Sequence, residues 1–366
     1  MKLSVFFSLL IATISASSEN LSHHSLRDLE PLSSPFKAEY PTYFNENNDT
    51  FLQSDFLEIL KEVPMREGSS VGIVDRGESC YADSVIQMLF RMPIVRKIVA
   101  NLDIYHLRVK LLDGYNILDL EDIFFGLKVL EGLNHMFYQL QTNETESATY
   151  NFGLSMQVLP GEHAKNGPGD ADEYLNLIIS ALREITPKSQ HHHFSINFLQ
   201  INGDSRPQNH EIDSRISLPI LREGQQSLDQ LLDDYFAPET IEFGTEAIIR
   251  SKKITSLPEI ITIHLQRASF ERIRIRNVVM MPDEIDLEKY SVCSTSKYRL
   301  KMFIVHLGEF SRGHFISHCR NNSSSSSWST FDDSSVAVQE DPEIIQKYCE
   351  TGFIYFYEKI SEKSNK

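Results

Sequence analysis

Cysteine is scarce in this chain, with four thiols in 366 residues: Cys80, Cys293, Cys319 and Cys349. If one of them stays free for chemistry, at most one intramolecular disulfide can form, so a disulfide-stapled scaffold is excluded. Positive charge is short too. The 35 Lys and Arg are outnumbered by 51 Asp and Glu, giving a formal net charge of −16. That balance argues against nucleic acid and anionic membrane as partners. Internal repeats are lacking, and the apolar run Leu3–Ile14 is too short for a comfortable membrane span. It follows Met1-Lys2 and precedes Ser15-Ala16-Ser17, small residues suited to cleavage, so residues 1–17 read as a secretory signal. Asn20-Leu21-Ser22, Asn48-Asp49-Thr50 and Asn143-Glu144-Thr145 would then be glycosylation acceptors. If the segment is not used, the protein is cytoplasmic.

What is present centres on one thiol. In Gly72-Ile-Val-Asp75-Arg-Gly77-Glu78-Ser79-Cys80-Tyr81, two glycines break the chain, and Val85, Ile86, Leu89 and Phe90 then recur at helical spacing. Cys80 therefore stands at the mouth of a predicted helix. The positive helix end and its free N–H groups are expected to lower the thiol pKa. Glu78 is expected to work the other way.

The partners for such a nucleophile lie near the C-terminus. Tyr298–Gly308 reads as a strand ending at glycine, and Gly313-His314-Phe315-Ile316-Ser317-His318-Cys319 as a second strand opened by an imidazole. After the serine run Ser323–Ser327, a loop tip, Trp328–Val336 reads as a third short strand carrying Asp332 and Asp333. A thiol, an imidazole and an orienting acid are the parts of a thiol-protease triad. Between these ends, Asp170 caps a predicted helix with Glu173 three residues on, and Leu118–Leu140 has a second helical pattern. Ser256–Arg267 reads as a strand led by Pro258. Helices first and strands later imply an α+β enzyme with its cleft between two subdomains.

These motifs together resemble the ubiquitin-specific proteases, papain-like cysteine deubiquitinases. Gly72–Leu89 resembles the family's cysteine box at both glycines, Cys80, Tyr81, Ser84, Gln87 and Leu89. The histidine box is matched by Tyr298, Leu300, His306, Gly308, Gly313, His314, Trp328, Phe331, Asp332, Asp333 and Val336. Gly169–Leu175, Leu257–Arg267 and Thr351–Glu358 resemble intermediate segments, in order and at compatible spacing. The resemblance implies a papain-like fold with a helical thumb, a β-rich palm and β fingers. It also implies hydrolysis of the (iso)peptide bond after ubiquitin's C-terminal glycine, with ubiquitin or ubiquitinated proteins as partners. Cys80 would attack, His314 would serve as base, Asp332 would orient it and Asp333 would substitute or assist.

Two departures qualify the resemblance. Asp75 stands where the family has the asparagine of its oxyanion hole, and an ionised carboxylate accepts hydrogen bonds but cannot donate. Three outcomes stay open: a protonated Asp75, an Asp75 turned away while backbone N–H groups suffice, or a slow or dead enzyme. The alternatives to a deubiquitinase are accordingly a ubiquitin-binding pseudo-enzyme or a secreted general cysteine protease. The second departure concerns the fingers region, about Ser195 to Lys253, which contains no cysteine and so cannot hold the Cys₄ zinc of some relatives. His191-His192-His193 reads as a solvated loop, and no metal or cofactor is expected. The predicted organisation is a signal over residues 1–17, a polar linker over 18–69 with one short helix around Phe51–Val63, a catalytic domain over 70–361 and a tail over 362–366.

Overall fold

The computed structural model describes residues 71–75, 77–101, 120–142, 169–186, 193, 195–202, 207–221, 223–243, 246–268, 273–293, 296–309, 312–321 and 327–360. By internal contacts the chain divides into residues 1–52 and 53–366, and every described residue lies in the second unit. The signal, the linker with its short helix and the terminal tail fall outside the described residues.

Among the described residues, four helices come first. They are α1 (Cys80–Arg91), α2 (Pro93–Asn101), α3 (Leu120–Thr142) and α4 (Ala171–Ile185). All twelve residues of α1 are buried, as expected of a helix enclosed by its neighbours rather than laid on a surface. The Asp170 carboxylate caps α4 by accepting from Asp172 N at 2.7 Å and Glu173 N at 3.1 Å. Helices α3 and α4 approach so closely at Gly126 that a β-carbon there would lie 2.7 Å from the Ala181 carbonyl oxygen. Between the helices, Phe90 meets Phe137 at 5.4 Å and Tyr81 meets Tyr174 edge-on at 5.6 Å.

Strands β1 (Ile196–Asn202), β2 (Pro207–Asp213), β5 (Glu239–Phe243) and β6 (Glu246–Ser256) form a four-stranded sheet in the order β2-β1-β6-β5. This is the fingers region. Its inner face buries Ile196, Phe198 and Ile254, and Phe198 packs on Phe236 of helix α5 (Leu228–Phe236). The Lys252 ammonium sits 3.4 Å from the Tyr235 ring centroid, a cation–π contact that joins sheet to helix.

The larger sheet is built from β3 (Ile216–Pro219), β7 (Ile260–Gln266), β9 (Glu284–Asp286), β10 (Lys297–Glu309), β11 (Arg312–Arg320), β12 (Trp328–Asp332), β13 (Ser335–Gln339) and β14 (Gly352–Lys359). Its order is β13-β12-β11-β10-β14-β7-β3, with β9 beside β10. The short strands β4 (Gln226–Ser227) and β8 (Val279–Met280) pair apart from it, and helix α6 (Pro342–Glu350) precedes β14. Strand alternation divides the core in two. Met302 and Ile304 of β10, with Ile354 and Phe356 of β14, face helices α1, α3 and α4. Phe303 and Val305, with Tyr355 and Tyr357, face the other core beside α5 and α6. Each such side chain contributes about 1.5–3 kcal/mol by leaving water.

The buried tyrosines and Arg267 of this core find partners. Tyr298, Tyr355 and Tyr357 donate to the carbonyls of Pro258, Cys349 and Pro282. Buried Arg267 donates to the carbonyls of Gly352, Asn277 and Glu350, locking the end of β7 to the start of β14. The expected strand over Ser256–Arg267 is present as β7, with a later start than expected. Strand β6 stops at Ser256 and β7 starts at Ile260. In the gap, the Pro258 carbonyl takes the Tyr298 hydroxyl, while the Glu259 carbonyl takes Lys359 N and so carries the β7–β14 register one residue further.

Candidate active site

Cys80 is the first residue of α1, and the chain leading to it is pinned on both sides. Gln87 Nε2 donates to the Val71 carbonyl at 2.9 Å, and Ile73 N donates to the Asp333 carbonyl at 2.9 Å. Gly72 lies between them, where a β-carbon would stand 2.4 Å from Asp333 O and 2.5 Å from Ser334 O. The glycine and glutamine of the cysteine motif thus have a packing reason. Below them the Arg91 guanidinium bonds the Gln87 carbonyl and covers the Phe331 ring at 3.7 Å.

The turn that follows is organised by Asp75. Its Oδ1 accepts from Gly77 N (2.9 Å), Ser79 N (2.9 Å) and Ser79 Oγ (2.8 Å). Gly77 and Glu78 take positive φ, and the Glu78 side chain points to solvent. Ser79 is the N-cap residue, yet its hydroxyl does not cap the helix. It lies between Asp75 Oδ1 and Asp83 Oδ2, the latter at 3.0 Å.

The hairpin of β10 and β11 brings up the imidazole. Their register places Gly313 opposite Gly308 and His314 opposite Leu307. A β-carbon on Gly313 would fall 1.7 Å from His306 Nε2, and His306 itself lies against Phe315 at 4.5 Å. Phe315 N, the amide directly after His314, points at Cys80 Sγ from 3.5 Å. Strand β11 pairs with β12 through Ser317 and Phe331, which sets His314 near the turn after β12. His314 Nε2 reaches Asp332 Oδ1 at 2.6 Å, whereas Asp333 Oδ2 stands 3.8 Å away. A carboxylate partner selects the tautomer with hydrogen on Nε2, leaving the Nδ1 lone pair to take a proton. All five residues singled out from the sequence, Cys80, His314, Asp332, Asp333 and Asp75, therefore converge on one place.

Their electrostatics differ from expectation. The Cys80 thiol is pushed up to about 11, first by burial, with the Phe315 amide opposing and the charges of Asp333 and Asp75 adding, as Asp83 would if ionised. The expected depression by the helix end is corrected. Cys80 does open the helix, but it is only 8 % exposed and faces three acids. Glu78, expected to act on it as a further acid, is not among those three. Asp75 feels burial upward, but the Ser79 and Gly77 hydrogen bonds and the nearby His314 outweigh it and hold its carboxyl below the usual range. It is an ionised acceptor. Of the three outcomes left open for Asp75, protonation is thereby set aside. Asp333, half-buried at φ 48°, is raised to about 6 by burial, with His314 opposing and Asp75 and Asp332 adding. His306 is lowered to about 4 by burial, then by Arg274 and His314, and stays neutral.

The sequence reading missed Asp83. It is 2 % exposed, and burial, then Asp333 and Asp75, push its carboxyl well above the usual range against the Ser79 hydrogen bond. An ionised acid in a helix's first turn gains about 0.3–1 kcal/mol from the dipole, at most about 2. Burying the unpaired charge costs several kcal/mol. The neutral acid wins. The spacing of Ser79 and Asp83, one helical turn apart, was the available signal. His314, Asp332 and Asp333 also place ligand atoms within 4.8 Å of one another, enough to approach a cation, but Nε2 already has its carboxylate.

A thiol on a helix mouth, an imidazole on a facing strand and a carboxylate behind it define a papain-like cysteine hydrolase. The family model for Ubiquitin carboxyl-terminal hydrolase matches residues 71–357, and the chain belongs to that family, the USP-type cysteine deubiquitinases. Ubiquitin carboxyl-terminal hydrolase 26 of Oryza sativa subsp. japonica is 23% identical over 298 residues, 73% of this chain and 26% of the relative. Ubiquitin carboxyl-terminal hydrolase 7 of Caenorhabditis elegans is 23% identical over 309 residues (74% and 25%), and that of Drosophila melanogaster 22% over 307 (76% and 25%). The chain spans about a quarter of the length of these relatives. Among solved structures, the SAGA DUB module of Ubp8, Sgf11, Sus1 and Sgf73 bound to monoubiquitin matches with TM-score 0.62 and 18% identity, over 86% of this chain and 75% of the other. That likeness establishes the fold, α+β and papain-like.

Proposed function

We propose that this chain hydrolyses the peptide or isopeptide bond after ubiquitin's C-terminal glycine. The observation that carries the reading is the convergence of Cys80 Sγ on Phe315 N at 3.5 Å beside a His314–Asp332 pair at 2.6 Å. Cys80 attacks the carbonyl and gives its proton to His314, and a thioester forms as His314 protonates the departing amine. Asp332 holds the imidazole. Water then hydrolyses the thioester with His314 as base. Cys80 N–H serves the oxyanion, since the Asp75 carboxylate is an acceptor. The test is labelling by ubiquitin carrying a C-terminal thiol-reactive group. A ubiquitin-sized mass gain, lost in Cys80→Ala, is the expected result.

A second reading, a ubiquitin-binding pseudo-enzyme, is favoured by the burial that, with the nearby acids adding, raises the Cys80 thiol to about 11. Binding of unmodified ubiquitin by a folded protein that forms no adduct would replace the first reading with this one. We also propose that residues 1–17 direct secretion. A cleaved N-terminus on protein recovered from the medium of producing cells supports this, and protein found only inside those cells with residues 1–17 intact overturns it.

A further inference from the structure

The hydroxyl of Ser79 lies 2.8 Å from Asp75 Oδ1 and 3.0 Å from Asp83 Oδ2. It carries one proton for two carboxyl groups. Asp75 Oδ1 already receives the amides of Gly77 and Ser79, so it is a bare acceptor and takes the hydroxyl proton. The contact to Asp83 is then oxygen against oxygen, and it is attractive only if Asp83 supplies the hydrogen. Its surroundings agree. Among the described residues, the titratable groups facing Asp83 are Asp75 from the turn, Cys80 and Tyr81 of α1, Tyr174 of α4 and Asp333 from the turn after β12, none of them a cation. Asp83 Oδ1 is buried without a hydrogen-bond partner, tolerable for a carbonyl oxygen and costly for a carboxylate.

We propose that Asp83 is a positioning residue acting as a neutral acid, donating to Ser79 Oγ while Ser79 donates to the Asp75 carboxylate. This three-group chain fixes the Asp75–Ser79 turn and, through it, the backbone that presents Cys80. A helix residue one turn past the thiol thereby sets the geometry of the loop before it. The proposal rests on the reading of Cys80 as nucleophile, but its test needs no ubiquitin.

Two measurements on the full chain test it. The first is an infrared difference spectrum at pH 7 between wild type and Asp83→Asn. A protonated-carboxyl C=O band present in wild type and lost in the variant is expected, and no lost band overturns the proposal. The second is peptide-resolved alkylation of Cys80 by iodoacetamide. An asparagine can donate to Ser79 as the acid does, so Asp83→Asn is expected to stay within about threefold of wild type from pH 6 to 8. If Asp83 were instead ionised, removing its charge would lower the thiol pKa and accelerate alkylation by about tenfold or more. Such acceleration overturns the proposal. Asp83→Leu keeps the bulk and loses the donor, so the turn loosens and Cys80 is expected to alkylate about tenfold faster. A Leu variant matching wild type overturns the positioning role. Should that variant not fold, the asparagine and infrared results still decide.

Discussion

His314 Nε2 lies 2.6 Å from Asp332 Oδ1, and the neighbouring Asp333 carboxylate is left at 3.8 Å. Consecutive acids of one turn are thereby separated in what they do. Asp332 can fix the tautomer, while Asp333 gives its carbonyl to Ile73 N and its charge raises the thiol. Asp332→Ala should cut labelling by the ubiquitin electrophile about 10²-fold or more, because a triad without its orienting acid loses the correct tautomer. Asp333→Asn should cost less than tenfold or accelerate labelling, since its backbone contact persists and a carboxylate is gone. Paired rate constants check this. Equal losses would return the orienting role to both.

The thiol at about 11 gives a pH prediction with a definite sign. A raised thiol pKa means that the reactive thiolate is scarce at neutral pH, roughly 10⁻⁴ of the total in the free protein. Alkylation of Cys80 by a neutral reagent should therefore rise about tenfold per pH unit from pH 7 to pH 10. A plateau already at pH 7 would mean that a thiolate–imidazolium pair forms before substrate arrives. Peptide-level mass spectrometry separates Cys80 from Cys293, Cys319 and Cys349.

Much of this was legible in the sequence, and the reasons are local. The β10–β11 hairpin follows from the β-branched and aromatic residues of Tyr298–Gly308 and from Gly308 and Gly313, which fall opposite each other. The helix at Cys80 follows from the spacing of Val85, Ile86, Leu89 and Phe90. What sequence could not give is burial. Asp83 and Glu78 are both acids near a cysteine, but one is 2 % exposed and the other points to solvent. Only the tertiary packing of α1 decides which of them is buried beside the thiol. The late start of β7 was hidden for a similar reason, since the partner of the Pro258 carbonyl is the Tyr298 side chain of β10.

Asp75→Asn should increase the reaction rate. The Oδ1 that accepts from Gly77 and Ser79 is retained in an asparagine, so the turn survives. The substitution adds an N–H donor and removes a charge that raises the Cys80 thiol. An oxyanion donor is typically worth about 10²–10³ in rate, so a gain of about 10–10²-fold is expected even with imperfect aim. Asp75→Ala, which deletes the acceptor, should slow the reaction instead. Single-turnover labelling of the three proteins checks the order Asn above Asp above Ala.

Gly72 and Gly77 are both motif glycines, and the structure gives them different reasons that substitution separates. At Gly72 an added β-carbon would meet two backbone carbonyl oxygens, Asp333 O at 2.4 Å and Ser334 O at 2.5 Å. Backbone cannot swing aside like a side chain, so the turn must move and the Ile73 N to Asp333 O bond is lost. The cost should be about 1–3 kcal/mol, as for other overpacked sites. An added β-carbon at Gly77 would meet nothing within 4 Å, and the constraint on the side chain is φ of +99° alone. Asparagine tolerates positive φ better than alanine. Gly77→Asn should therefore melt closer to wild type than Gly77→Ala, whereas at position 72 the larger asparagine should be worse than alanine. Gly72→Ala should also slow ubiquitin labelling, because the displaced turn carries Asp332 and with it the His314 orientation. Thermal melts of the four variants give the two opposite orders directly, and a common order at both positions would mean that one constraint governs the whole loop.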